Sequence, residues 1–138
     1  MEPLIGRRLE LFLCTKLRAA VPDRQILPYS GGDERGDSFD VEPPLGVIAC
    51  NECEKTHQQE NTWLIKGSLQ WISHITEQTP QEHEMAARVL VANLQAINGE
   101  QQDYFTFHGI DVTDEKMAQS DDGRHRASII HFTAGCSG

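Results

Sequence analysis

From Thr62 to Thr76 the chain alternates between apolar and polar side chains. Trp63, Ile65, Leu69, Trp71 and Ile75 hold odd positions; Thr62, Lys66, Ser68, Gln70, His74 and Thr76 hold even ones, broken only by Leu64 and Ile72. A period of two predicts a strand with one dry face and one wet face. At about 3.3 Å per residue this stretch runs roughly 50 Å, far beyond the usual five or six residues of a strand. A bend at Gly67 is one way to reconcile the length, because glycine inside a strand often marks a bulge.

The flanking patterns predict the remaining elements. Ile5, Leu9, Phe12, Leu13, Leu17 and Ala20 recur every three or four residues, so residues 4 to about 21 read as a helix ended by Pro22. Residues 22 to 44 are rich in Gly, Pro and acids and read as a long loop, the kind that is functional or disordered. Leu45 to Glu52 reads as a short strand. Glu54 to Asn61 forms the polar tip of a hairpin leading into the long strand. Thr79-Pro80-Gln81-Glu82 has the form of a capping box with proline in the first turn. The helix after it turns Ala86, Val89, Leu90, Asn93, Leu94 and Ile97 one way, leaves His83 on its exposed side, and closes at Asn98-Gly99. Tyr104 to Val112 and Arg124 to Ala134 read as strands joined by a polar loop over about 113–123, with a turn at Asp122-Gly123. The expected fold is one α+β domain over residues 1–138. It has an antiparallel-rich mixed sheet of about four strands, with two helices packed on one face.

Composition narrows the function. A chain of 138 residues with 38% hydrophobic and 24% charged residues is the size and make-up of one globular domain. The first residues lack the pattern of a signal peptide, and no run has the length of a membrane span, so no membrane partner is expected. The four cysteines are then expected as reduced thiols. A net charge of −9 argues against a sequence-reading DNA binder, whose footprint is basic, and fits a surface that repels a polyanion.

Motifs for chemistry are sparse. Cys50-Asn51-Glu52-Cys53 with His57 supplies two thiols and an imidazole, short of the four ligands of a structural zinc site. Cys14 and Cys136 lie near opposite ends of the chain without paired spacing. The acids around the motif, and its place on a strand, disfavour a thioredoxin-like thiol. Asp33, Glu34, Asp37 and Asp40 do not follow the spacing of a calcium loop. Serines, histidines and glycines fall in no hydrolase or phosphate-loop pattern. No cofactor and no enzymatic activity is expected.

The order of elements is informative as a whole. An amphipathic helix ends in LRAAVP; an acidic Gly/Pro loop, a strand and a long Trp-containing strand follow. A helix opened by Thr79-Pro80 comes next, and Asp121-Asp122-Gly123 leads into RHRASIIHFTAG. This arrangement resembles the tail terminator proteins of long-tailed bacteriophages, the minor tail protein U type. The resemblance implies a structural virion protein, found in the host cytoplasm during assembly and then in the tail. It implies a homohexameric ring that ends tail-tube growth and contacts the tube protein and a head-completion or neck protein, with DNA passing through unbound. In such a ring the channel-facing acid candidates are Asp33, Glu34, Asp37, Asp40, Asp121 and Asp122. The subunit-contact candidates are Lys55, His57, Trp63, Arg124 and Arg126. The length of the Thr62–Thr76 strand then acquires a second explanation, projection past the core toward a neighbouring subunit. The alternatives are a head-completion or neck connector of the same particle, and a small metal or thiol protein using Cys50, Cys53 and His57.

Overall fold

A computed structural model describes residues 5–29, 44–55, 62–97, 99–101 and 106–137. The elements in chain order are α1 (Ile5–Ala20), β1 (Ile26–Pro28), β2 (Leu45–Lys55), β3 (Thr62–His74), α2 (Pro80–Gln95), β4 (Glu100–Gln101), β5 (Thr106–Gln119) and β6 (His125–Ser137). The strands form one sheet in the order β1-β2-β3-β6-β5-β4, antiparallel at every junction except β1 with β2. Both helices lie on one face. The α+β expectation holds, with two short strands, β1 and β4, added to the four long ones.

The alternation in β3 does what its period predicts. Ile65, Gly67, Leu69, Trp71 and Ser73 are buried on the helix side. Phe132, Ile130 and Ala134 of β6 and Ile48 of β2 extend the same layer, and Leu9, Leu13 and Leu17 of α1 close it from above. Phe12 of α1 meets Phe107 of β5 with ring centroids 5.2 Å apart. Each fully buried large apolar side chain contributes about 1.5–3 kcal/mol, so this single layer is the main source of stability.

The bend at Gly67 is not what accounts for the long strand. β3 is continuous through Gly67 and is paired along its whole length, with β2 on one side and β6 on the other. Its length is matched by its neighbours, since β5 has 14 residues and β6 has 13. The bulge sits across from Gly67 on β2, where the register shifts between Cys50 and Glu52. A Cβ on Gly67 would lie 2.4 Å from the Ala49 carbonyl oxygen and 2.8 Å from Phe132 Cζ. Glycine is there for close packing.

The capping box forms as expected. Glu82 N–H donates to Thr79 Oγ1 at 3.1 Å and Thr79 N–H donates to Glu82 Oε1 at 3.0 Å. Such a cap contributes about 1 kcal/mol. The two bonds hold the Glu82 carboxyl below its ordinary pKa. Other expectations need correction. The 113–123 loop is mostly strand: β5 runs to Gln119, and only a tight turn separates it from β6. The 22–44 loop contains β1, which is parallel to β2. The buried face of α2 is His83, Ala86, Ala87, Leu90 and Leu94, while Val89 is exposed. The helix ends at Gln95 with Ala96 as C-cap; Asn98 lies outside the described residues.

Candidate functional site

Among the described residues, three places bring the candidate chemistry-bearing side chains together. They are the thiol layer under α1, the buried histidine under α2, and the β5–β6 hairpin.

The thiols are brought together by the bulge. Cys50 pairs with Gly67 and Cys53 with Ile65, and both partners belong to the buried face. Residues three apart on a regular strand would point to opposite faces. The extra residue at Asn51 puts both thiols on the α1 side. Gly6 of α1 lies against them: a Cβ there would be 2.9 Å from Cys53 Sγ and 3.8 Å from Cys50 Cβ. The Cys50 N–H, turned away from β3 by the ordinary alternation, donates to Glu10 Oε2 at 3.2 Å. Cys14 and Cys136 are close enough to influence Cys50 electrostatically, so the two cysteines that sequence spacing set apart join the same layer.

Burial dominates this chemistry. It pushes the Cys14 and Cys136 thiols up to about 12, and it pushes Cys50 up as well, helped by Glu10 and the neighbouring thiols. Cys53 is raised by partial burial, offset in part by the Gly6 N–H. All four are free thiols. Among the described residues no group of three or more His, Cys, Asp or Glu side chains could hold a metal ion; His57 lies outside them. At pKa 12 a thiol is roughly one part in ten thousand thiolate at pH 8. A thiol-specific reagent at pH 8 is therefore expected to label the exposed Cys53 first, with Cys14, Cys50 and Cys136 reacting only on unfolding. Peptide mass mapping after timed labelling measures this, and early labelling of Cys50 contradicts it.

His83 is fully buried, contrary to its expected place on the exposed side of α2. Its Nδ1 lies 2.6 Å from Ser73 Oγ of β3 and its Nε2 lies 2.9 Å from Ser128 Oγ of β6. A neutral imidazole donates from one nitrogen and accepts at the other, so the two serines complete it. Burial and the nearby Arg126 hold its pKa below the ordinary value of 6.5. The arrangement pins α2 to the two central strands. The ring is sealed from solvent, which leaves a structural role.

The hairpin carries the remaining candidates. Asp121 and Asp122 are exposed at its tip. Asp122 Oδ1 accepts from Ser120 Oγ at 2.6 Å and from Arg124 N–H at 3.0 Å, and these bonds hold its carboxyl below the usual range. Gly123 takes φ +70°, which the turn requires. Arg124 is exposed, with its Nε 3.9 Å from Asp122 Oδ2. Arg126 is half-buried, with Nη1 3.4 Å from the Gln78 carbonyl. Trp63 is half-buried and packs against the core, at the opposite end of β3 from the hairpin tip, with Lys55 beside it on β2. The contact candidates thus fall at two ends of the sheet. Asp33, Glu34, Asp37 and Asp40 lie outside the described residues.

No protein-family model matches the chain, and no curated protein matches it in sequence. Among solved structures the fold is similar to a chain of the virion of a native gene transfer agent particle. The TM-score is 0.60 at 13% identity, over 96% of this chain and 92% of that one. The likeness is one of fold, across nearly the full length of both. Among the described residues no helix is long and apolar enough to cross a membrane.

Proposed function

We propose that this chain is a non-enzymatic structural protein of a phage-like virion, and within it a tail terminator: a ring of about six copies that ends the tail tube and joins it to the head. The observation that carries the reading is the full-length fold likeness to a chain of a gene transfer agent virion. The order of elements in the sequence points the same way independently. Charge supports the terminator form. A subunit of −9 gives about −54 for six copies, and an acidic lumen lets DNA slide without sticking. Asp121 and Asp122 at the hairpin tip, with the acids of the 33–40 segment, are the groups proposed to face that lumen. Lys55, His57, Trp63, Arg124 and Arg126 are proposed at the contacts between copies.

The test is mass and position. Light scattering over a concentration series, alone and with purified tail tubes, is expected to show a closed ring near six copies, and electron microscopy to place it at the tube end. A protein that stays monomeric and never binds tube ends removes the reading. Binding to the head side alone makes it a neck connector instead.

A further inference from the structure

The sheet has two unlike edges. At one, β1 is three residues long, Pro28 has no N–H to offer, and Arg18 Nε donates to the Ile26 carbonyl at 2.7 Å. Over Gly46–Ile48 that edge is closed to further strands. At the other, β4 covers only Thr106 and Phe107 of β5. Beyond them, among the described residues, β5 pairs with β6 alone.

The register shows which backbone groups are left over. Ser120 N–H donates to the His125 carbonyl, and in an antiparallel pair the bonded residues alternate. Asp114, Lys116 and Ala118 therefore bond to β6, while Glu115, Met117 and Gln119 turn their N–H and C=O groups outward. Among the described residues no strand meets them. Glu115 stands opposite Ile130 and Met117 opposite Ser128, so both side chains lie on the helix side of the sheet.

On that side a channel of about 180 Å³ separates β5 from α2. Ala87, Arg88 and Val91 form its helix wall, Ser128 and Ile130 its floor, and Met117 its outer wall. Met117 is 56% exposed. The charges are unevenly satisfied. Arg88 pairs with Glu84 at 3.5 Å, and Lys116 pairs with Asp114 at 3.8 Å on the other face. Glu115 has no ion-pair partner among the described residues and stands on the channel rim.

An open edge strand flanked by a helix, with an apolar channel between them, is the geometry in which an extended peptide adds to a sheet. Main-chain bonds hold such a peptide, and alternate side chains pack on Met117 and Glu115 at the channel rim. We propose that the β5–α2 channel is a strand-addition site for an extended segment of another protein, apolar at alternate positions and carrying a lysine or arginine beside Glu115. The charge of that partner follows from the unpaired Glu115 and from the chain's net −9. The site does not depend on the ring reading.

The test uses the full chain labelled with ¹⁵N and a panel of capped seven-residue peptides. Each alternates threonine with channel-side residues: one lysine, and valine, leucine or phenylalanine at the others. Binding by at least one peptide at or below about 1 mM is expected. The amides of Glu115, Met117 and Gln119 should shift and their hydrogen exchange should slow. Met117→Pro removes an outward N–H while leaving the β6 ladder intact, so it should abolish binding in a folded protein. Glu115→Lys should weaken binding about tenfold. No shift with any peptide, or shifts confined to another surface, overturns the proposal. Slowed exchange of the same three amides that grows with protein concentration alone would assign the edge to a second copy and overturn the assignment to a different protein.

Discussion

Gly67→Ala is expected to destabilise the protein by about 1–3 kcal/mol, toward the upper end of that range. The reason is the identity of the atoms in the way. The added methyl meets the Ala49 carbonyl oxygen at 2.4 Å, and that oxygen is held in the β2–β3 ladder beside the bulge. Backbone in a central pair cannot swing aside as a side-chain end can. The second obstacle, the Phe132 ring at 2.8 Å, is itself fully buried. Gly6→Ala is the control. Its first obstacle is the Sγ of the exposed Cys53 at 2.9 Å, an atom that a side-chain rotation can move. Urea unfolding of the two variants should separate them by at least 1 kcal/mol. Equal midpoints would mean that the strand pair yields easily and that the bulge does not fix the β2–β3 spacing.

The same region shows what could and could not be read from the sequence. β3 was legible because its dry face is nearly continuous and its wet face carries charge or hydroxyls. The cap of α2 was legible because Thr79, Pro80 and Glu82 act locally. β5 was not, because Thr113 to Gln119 are exposed and lack a dry face to impose a period of two. Their strand conformation comes from register with β6. The thiol layer was illegible for a different reason. One extra residue at Asn51 reverses the side on which Cys53 lies, and no local signal announces a bulge. The order of the long elements was legible as well, and the likeness to the virion chain is one of fold.

A polar residue on a helix belongs by default to the wet face, yet His83 shares one stripe with 87, 90 and 94 at spacings of four, three and four. Its imidazole joins Ser73 and Ser128 across 2.6 Å and 2.9 Å. His83→Ala leaves both buried hydroxyls without it and opens a hole beneath α2. A loss of about 2–4 kcal/mol at pH 7.5 is expected. The pH dependence distinguishes this from a simple cavity. The folded pKa is below 6.5, so over part of the acidic range the unfolded chain binds a proton that the folded chain does not. The stability gained from a neutral His83 is therefore complete above about pH 6.5 and is lost as pH falls through the folded value. Arg126, the charged neighbour that acts with burial, keeps its sign throughout this window and so does not reverse the slope. Wild type and His83→Ala should differ most at pH 7.5 and converge as the buffer is taken from 6.5 toward 5. The other histidines are common to both proteins and cancel in the difference. Two parallel stability curves over that range would show that His83 enters the unfolded and folded chains with the same proton affinity, and the buried serine–histidine–serine pin would then not be the source of the helix's attachment at neutral pH.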